Sequence, residues 1–62
     1  MIVKIEFNTE NAEFADSFNY QVKEIMQTCT KAIMIFNEDH IAETTRLRDV
    51  NGNVVGNIRI EG

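Results

Sequence analysis

Apolar and charged residues alternate from Ile2 to Phe7, with Lys4 and Glu6 set between β-branched Ile2, Val3 and Ile5. That period of two predicts a strand with Val3, Ile5 and Phe7 facing inward. Asn8 to Asp16 is largely polar and reads as a connection, with Phe14 in its middle capping one end of the core. Asp16 or Ser17 is the expected N-cap of the next element. From there Phe18, Val22, Ile25, Met26, Cys29 and Ile33 follow spacings of three and four, the stripe of an amphipathic helix. Ile33, Met34, Ile35 and Phe36 fit either a broad-faced helix end or a short strand. The helix is expected to run to about Phe36, followed by an acidic loop over Asn37 to Glu43.

Leu47 to Ile60, LRDVNGNVVGNIRI, is a hairpin signal, an Asn-Gly centre flanked by alternating apolar and charged residues. Leu47, Ile58 and Ile60 mark its core face, which turns Arg46, Arg48 and Arg59 to the opposite face. A two-residue Asn51-Gly52 loop pairs Arg48 with Val55, Arg46 with Asn57 and Leu47 with Gly56. A bulged loop shifts the pairing but keeps the apolar side inward. Asp49, Asn51 and Asn53 alternate as oxygen ligands would, yet turn chemistry accounts for them, and Gly52 supplies a positive φ. Gly56 inside a strand points to a bulge or to a close approach, with Leu47 or a helix side chain the expected occupant of the gap.

Strand, helix, strand, strand predicts an α+β fold, a three-stranded antiparallel sheet in the order 2-3-1 with one helix packed on one face. The expected core is Val3, Ile5, Phe7, Phe18, Val22, Ile25, Met26, Cys29, Leu47, Ile58 and Ile60. With 62 residues the chain has room for a single small domain, 1–62, whose apolar residues must nearly all be used unless self-association adds buried surface. Ile33 to Phe36 with Ile41 form an apolar surplus that one helix face cannot hide, so a homodimer is expected. The lone Cys29 excludes an internal disulfide framework and reads as a buried core thiol. Charges at Lys4 and Glu6 interrupt any signal-peptide core, and no apolar run approaches membrane-spanning length. The expectation is a cytoplasmic protein that does not engage a membrane.

Ten acids against six bases give a net charge of −4, which argues against direct nucleic-acid binding. The distribution is uneven. Glu6, Glu10, Glu13 and Asp16 form an acidic run, Glu38, Asp39 and Glu43 another, and all three arginines fall in the hairpin region. If the first strand joins the sheet, Lys4 shares a basic face with Arg46, Arg48 and Arg59. Such a face suits phosphates or carboxylates, although exposed strands also carry charge simply for solubility. The acidic flank Glu10, Glu13 and Asp16 offers the opposite surface, an imitation of nucleic acid. His40 lacks companion ligands and reads as a loop residue. No cofactor fingerprint, catalytic constellation or metal-ligand spacing is present, so no catalytic, cofactor-binding or metal residues are expected and the chain is read as non-enzymatic.

The segments IEFNTENAEF and LRDVNGNVVGNI, joined by an amphipathic helix, resemble a group of very small phage and prophage proteins. These begin with a strand, pass through an Asn-Ala-x-Phe turn and end in a Leu-Arg-Asp-x-Asn-Gly-Asn hairpin. The resemblance carries over no functional residue. It implies a viral origin and, by analogy, an inhibitor that binds and disables a host or defence protein within the host cell, as anti-CRISPR proteins do. The alternative reading is an oligomer that sequesters an anionic small ligand, such as a signal nucleotide, among its arginines.

Overall fold

The computed structural model describes residues 1–37, 39 and 41–62, with the side chain of Glu13 outside the description. The expectations for Glu38 and His40 therefore lie outside the described residues. Strand β1 (Ile2–Phe7) is followed by helix α1 (Ala12–Ile35), strand β2 (Ala42–Arg48) and strand β3 (Val54–Glu61). The strands form one antiparallel sheet in the order β1-β3-β2, the expected 2-3-1 arrangement, and α1 packs across it to give an α+β fold.

The helix starts earlier than the sequence suggests. Ala12 to Asp16 is helical, and Ser17, read as an N-cap, sits at a kink inside the element with φ −148° and ψ 55°. Its non-helical backbone is what an N-cap requires, so the longer segment from Phe18 begins where its stripe predicted. The preceding turn was hidden because five residues are too few to display a stripe. This extra turn moves Phe14 from the rim into the centre, fully buried against Ile25, Cys29, Leu47, Ile58 and Ile60. At the other end the helix stops at Ile35, and the Phe36 N–H still reaches the Ile33 carbonyl at 3.4 Å. β2 takes in Ala42 and Glu43, so the acidic loop is shorter than expected.

Three expected core residues are not buried. Ile5 is 37% exposed, Met26 41%, and Phe18 is half exposed, its ring meeting Phe14 edge to face at a centroid distance of 6.4 Å. Val3, Phe7 and Val22 are partly covered. The cause lies in the placement of the helix, which packs chiefly on β2 and β3 and leaves β1, an edge strand, with an incomplete roof. Alternation correctly assigned the inward face, but it cannot say how far one helix reaches across three strands.

The hairpin register matches the expectation at Arg46↔Asn57 and Leu47↔Gly56 and departs from it at Arg48, which pairs with Val54 rather than Val55. The turn is longer by one residue. The Gly52 N–H donates to the Asp49 carbonyl at 3.0 Å, Asp49 N–H donates to the Asn53 carbonyl at 2.9 Å, and Gly52 has φ 85°. This is a three-residue loop with glycine in the left-handed position, and Val55, left over between the Arg48↔Val54 and Leu47↔Gly56 pairs, forms a bulge in β3 that restores the expected register. Gly56 follows that bulge between Phe7 and Leu47. Its gap is filled by the backbone of β1 at Glu6 and Phe7, not by Leu47 or a helix side chain.

Candidate functional site

The residues on the uncovered face of the sheet follow from the register. One transverse row holds Lys4, Arg59 and Thr44, and the next holds Glu6, Asn57 and Arg46. Lys4, Arg46 and Arg59 are thus brought together, all exposed. The face is less uniformly basic than the arginine count suggests, because Glu6 and Glu61 stand on it. Arg59 is committed within it: its Nε donates to Glu61 Oε1 at 3.0 Å and its guanidinium also donates to Thr44 Oγ1 at 3.1 Å. Such an exposed ion pair adds little stability but fixes the direction of the fork. Beyond the bulge, Arg48 donates to the Gly52 carbonyl at 2.9 Å and braces the turn. It also borders a shallow groove of about 190 Å³ with Tyr20, Gln21, Glu24, Thr28, Asp49 and Val50.

The acidic flank is spread along the start of the helix. Glu10 and Asp16 are exposed, and Glu13 is outside the described side chains. Glu10 N–H donates to Asn8 Oδ1 at 2.7 Å, a local turn that holds Glu10 beside a groove of about 360 Å³ bordered by Asn8, Asn11, Val54 and Val55.

Sequence reasoning read Asp49 as a turn former only, but it also joins the turn to the helix. Its side chain is buried; Oδ1 accepts from the N–H groups of Asn51 and Asn53, both at 2.9 Å, and Oδ2 accepts from Asn53 Nδ2 at 3.2 Å and Asn11 Nδ2 at 2.7 Å. Burial alone would raise the carboxyl pKa. Donors from the Asn53 backbone and side chain, the Asn11 side chain and the Asn51 backbone outweigh it and hold the group below its ordinary value. A depressed native pKa contributes stability that is present above the ordinary carboxylate pKa of about 4 and is lost as pH falls through the native value. Thermal melts at stepped pH should therefore show Asp49→Asn less stable than the parent near neutrality, with the two curves converging in acid. A gap that stays constant down to the most acidic melts would remove the carboxylate from that role.

Gln21, nearly fully buried, was also missed, although it lies one turn before Ile25 on the apolar stripe; its Nε2 reaches Ser17 Oγ at 3.4 Å. Cys29 is buried as expected, and burial pushes its thiol pKa up, away from nucleophilic use. Among the described residues no cluster of three His, Cys, Asp or Glu side chains could hold a metal ion, and no helix is long and apolar enough to cross a membrane.

The apolar surplus gathers at one end. Ile2 pairs with Glu61, which pairs with Ala42, and the Gly62 N–H donates to the Ile41 carbonyl at 3.0 Å, so Met1, Ile2 and Ile41 share the end of the sheet to which the helix returns. Ile33 and Phe36 pack inward, while Met34 (79% exposed), Ile35 (78%) and Ile41 (90%) are left in water. No family model, curated protein or solved structure matches the chain.

Proposed function

We propose that this chain is a non-enzymatic binding protein of the phage type, which inhibits a host or defence protein by covering a surface on it. The observation that carries the reading is the exposed apolar end. Met1, Ile2, Met34, Ile35 and Ile41 are each more than half exposed. Apolar patches of this kind generally belong to interaction surfaces, and the charged sheet face beside this one supplies a polar rim. The viral character rests on the IEFNTENAEF and LRDVNGNVVGNI segments. Sequestration of an anionic small ligand is the weaker reading, because Arg59 and Arg48 are already engaged by Glu61, Thr44 and the Gly52 carbonyl.

Capture from host lysate on the immobilised chain tests this, with three double variants as comparisons. Ile35→Glu with Ile41→Glu should abolish retention of a specific protein at least about tenfold, since those side chains are exposed and their loss leaves the fold intact. Arg46→Glu with Arg48→Glu, and Glu10→Lys with Glu13→Lys, should weaken it less and in a salt-dependent manner. Retention unaffected by the apolar pair but abolished by one charge reversal would move the interface to that charged surface. A nucleotide recovered from the denatured chain, with no protein retained, would replace the proposal by the sequestration reading.

A further inference from the structure

Strand β1 is an edge, and its backbone parity is fixed by its neighbour. In an antiparallel ladder each residue directs both its N–H and C=O to one side. The Asn8 N–H donates to the Val55 carbonyl at 2.8 Å, so the even positions Ile2, Lys4 and Glu6 turn their backbone toward β3, while Val3, Ile5 and Phe7 direct theirs outward. The side chains of Val3, Ile5 and Phe7 face the helix layer, and Lys4 and Glu6 share the open sheet face. The hairpin side of the helix is the flank bearing Tyr20, Glu24 and Thr28, which border the groove shared with Arg48 and Val50. The opposite flank, with Val22, Met26 and Ile33, is therefore turned toward β1. Ile5 and Met26 are the half-exposed members of this strip, although Ile58, paired with Ile5, is fully buried.

We propose that two copies of the chain pair through β1, antiparallel about Ile5, into a continuous six-stranded sheet. Outward backbone parity requires odd positions to form the hydrogen-bonded pairs, which permits three central registers. Centring on Lys4 sets the two lysines against each other, and centring on Glu6 opposes the two glutamates. Centring on Ile5 alone places Lys4 of each copy opposite Glu6 of the other, two complementary cross-strand pairs. It also sets Val3 against Phe7 and brings the two Ile5 side chains together on the two-fold axis, beneath the flanks that carry Met26. The other edge lacks this complementarity: the open-face residues of β2 are Ala42, Thr44, Arg46 and Arg48, with no acid among them. The contact is isologous and closed, so it ends at a dimer. Met34, Ile35 and Ile41 of each copy lie off the paired strand and stay free, and the inference does not depend on the identity of any foreign partner.

Sedimentation over a concentration series tests it on the intact chain, with circular dichroism to confirm folding. The parent should reach twice the 7.1 kDa monomer mass. Lys4→Glu should weaken association at least about tenfold by opposing acids at both pairs. It should leave each monomer folded, because the new acid stands opposite Arg59 within its own sheet. Glu6→Lys should do the same by opposing bases. Mixing these two variants, or combining both substitutions in one chain, restores opposite charges at every pair and should restore the dimer. A parent that stays monomeric at high micromolar concentration overturns the proposal. So does a dimer indifferent to Lys4→Glu, and so does a failure of the charge-exchanged chain to reassociate. These outcomes are read as mass alone, independently of partner capture.

Discussion

Gly56→Ala is expected to leave the chain largely unfolded. A Cβ at this position would collide with the Glu6 carbonyl oxygen and lie 2.5 Å from the Phe7 Cα, both of them backbone atoms of the paired strand. A flexible side chain could move aside, but a paired backbone can do so only by giving up the ladder. Overpacking that cannot relax costs about 3 kcal/mol or more, and a domain of this size rarely has more than about 3–5 kcal/mol to lose. Urea titration followed by circular dichroism should show no cooperative native baseline, or a midpoint far below that of the parent. An unchanged midpoint would mean that β1 does not approach β3 at Gly56 as described. Gly52 makes the useful contrast: its φ of 85° demands glycine for conformational reasons, but open space surrounds it.

Leu47→Ala is the second large effect. Leu47 is completely buried, opposite Gly56 on the central strand and packed with Phe14, Ile25, Cys29, Ile58 and Ile60. Glycine opposite it cannot swell to fill a cavity, so little collapse is available and the loss should fall at about 3 kcal/mol, within the range for buried leucine truncation. Ile5→Ala, on the exposed side of the same sheet face, should lose distinctly less in the same denaturant titration of the monomer. Equal losses at the two positions would contradict the uneven roof that the helix places over the sheet.

The architecture was legible because its signals are local and repeated. Alternation in Ile2 to Phe7, the three-and-four spacing from Phe18 to Ile33, and the Asn51-Gly52 turn each carry their own geometry, and antiparallel neighbours then require β3 at the centre. What escaped depends on contacts made across the chain. Phe14 looks like a lone aromatic in a polar connection until one extra helical turn aims it at Ile25. Asp49 looks like any turn aspartate until Asn11, 38 positions earlier, supplies its fourth donor. The half exposure of Ile5 depends on where a rigid helix crosses the sheet, a lateral offset that alternation does not record. The basic face was foreseen in its members, but not the tethering of Arg59 to Glu61 and Thr44, which depends on where neighbouring side chains settle.

The central position of β3 has a kinetic consequence. Its pairing with β2 closes a short turn, whereas its pairing with β1 must bring Phe7 to Gly56 across the entire helix and hairpin. On a loop-closure scale the longer ring costs about 2 kcal/mol more in chain entropy. The hairpin therefore has the lower entropic barrier and serves as the template, and β1 is the last strand recruited and the first released. Residues Ile2 to Phe7 thus form the hinge of the folding reaction: whatever rests on that strand, inside the chain or from outside, controls how long the finished sheet survives.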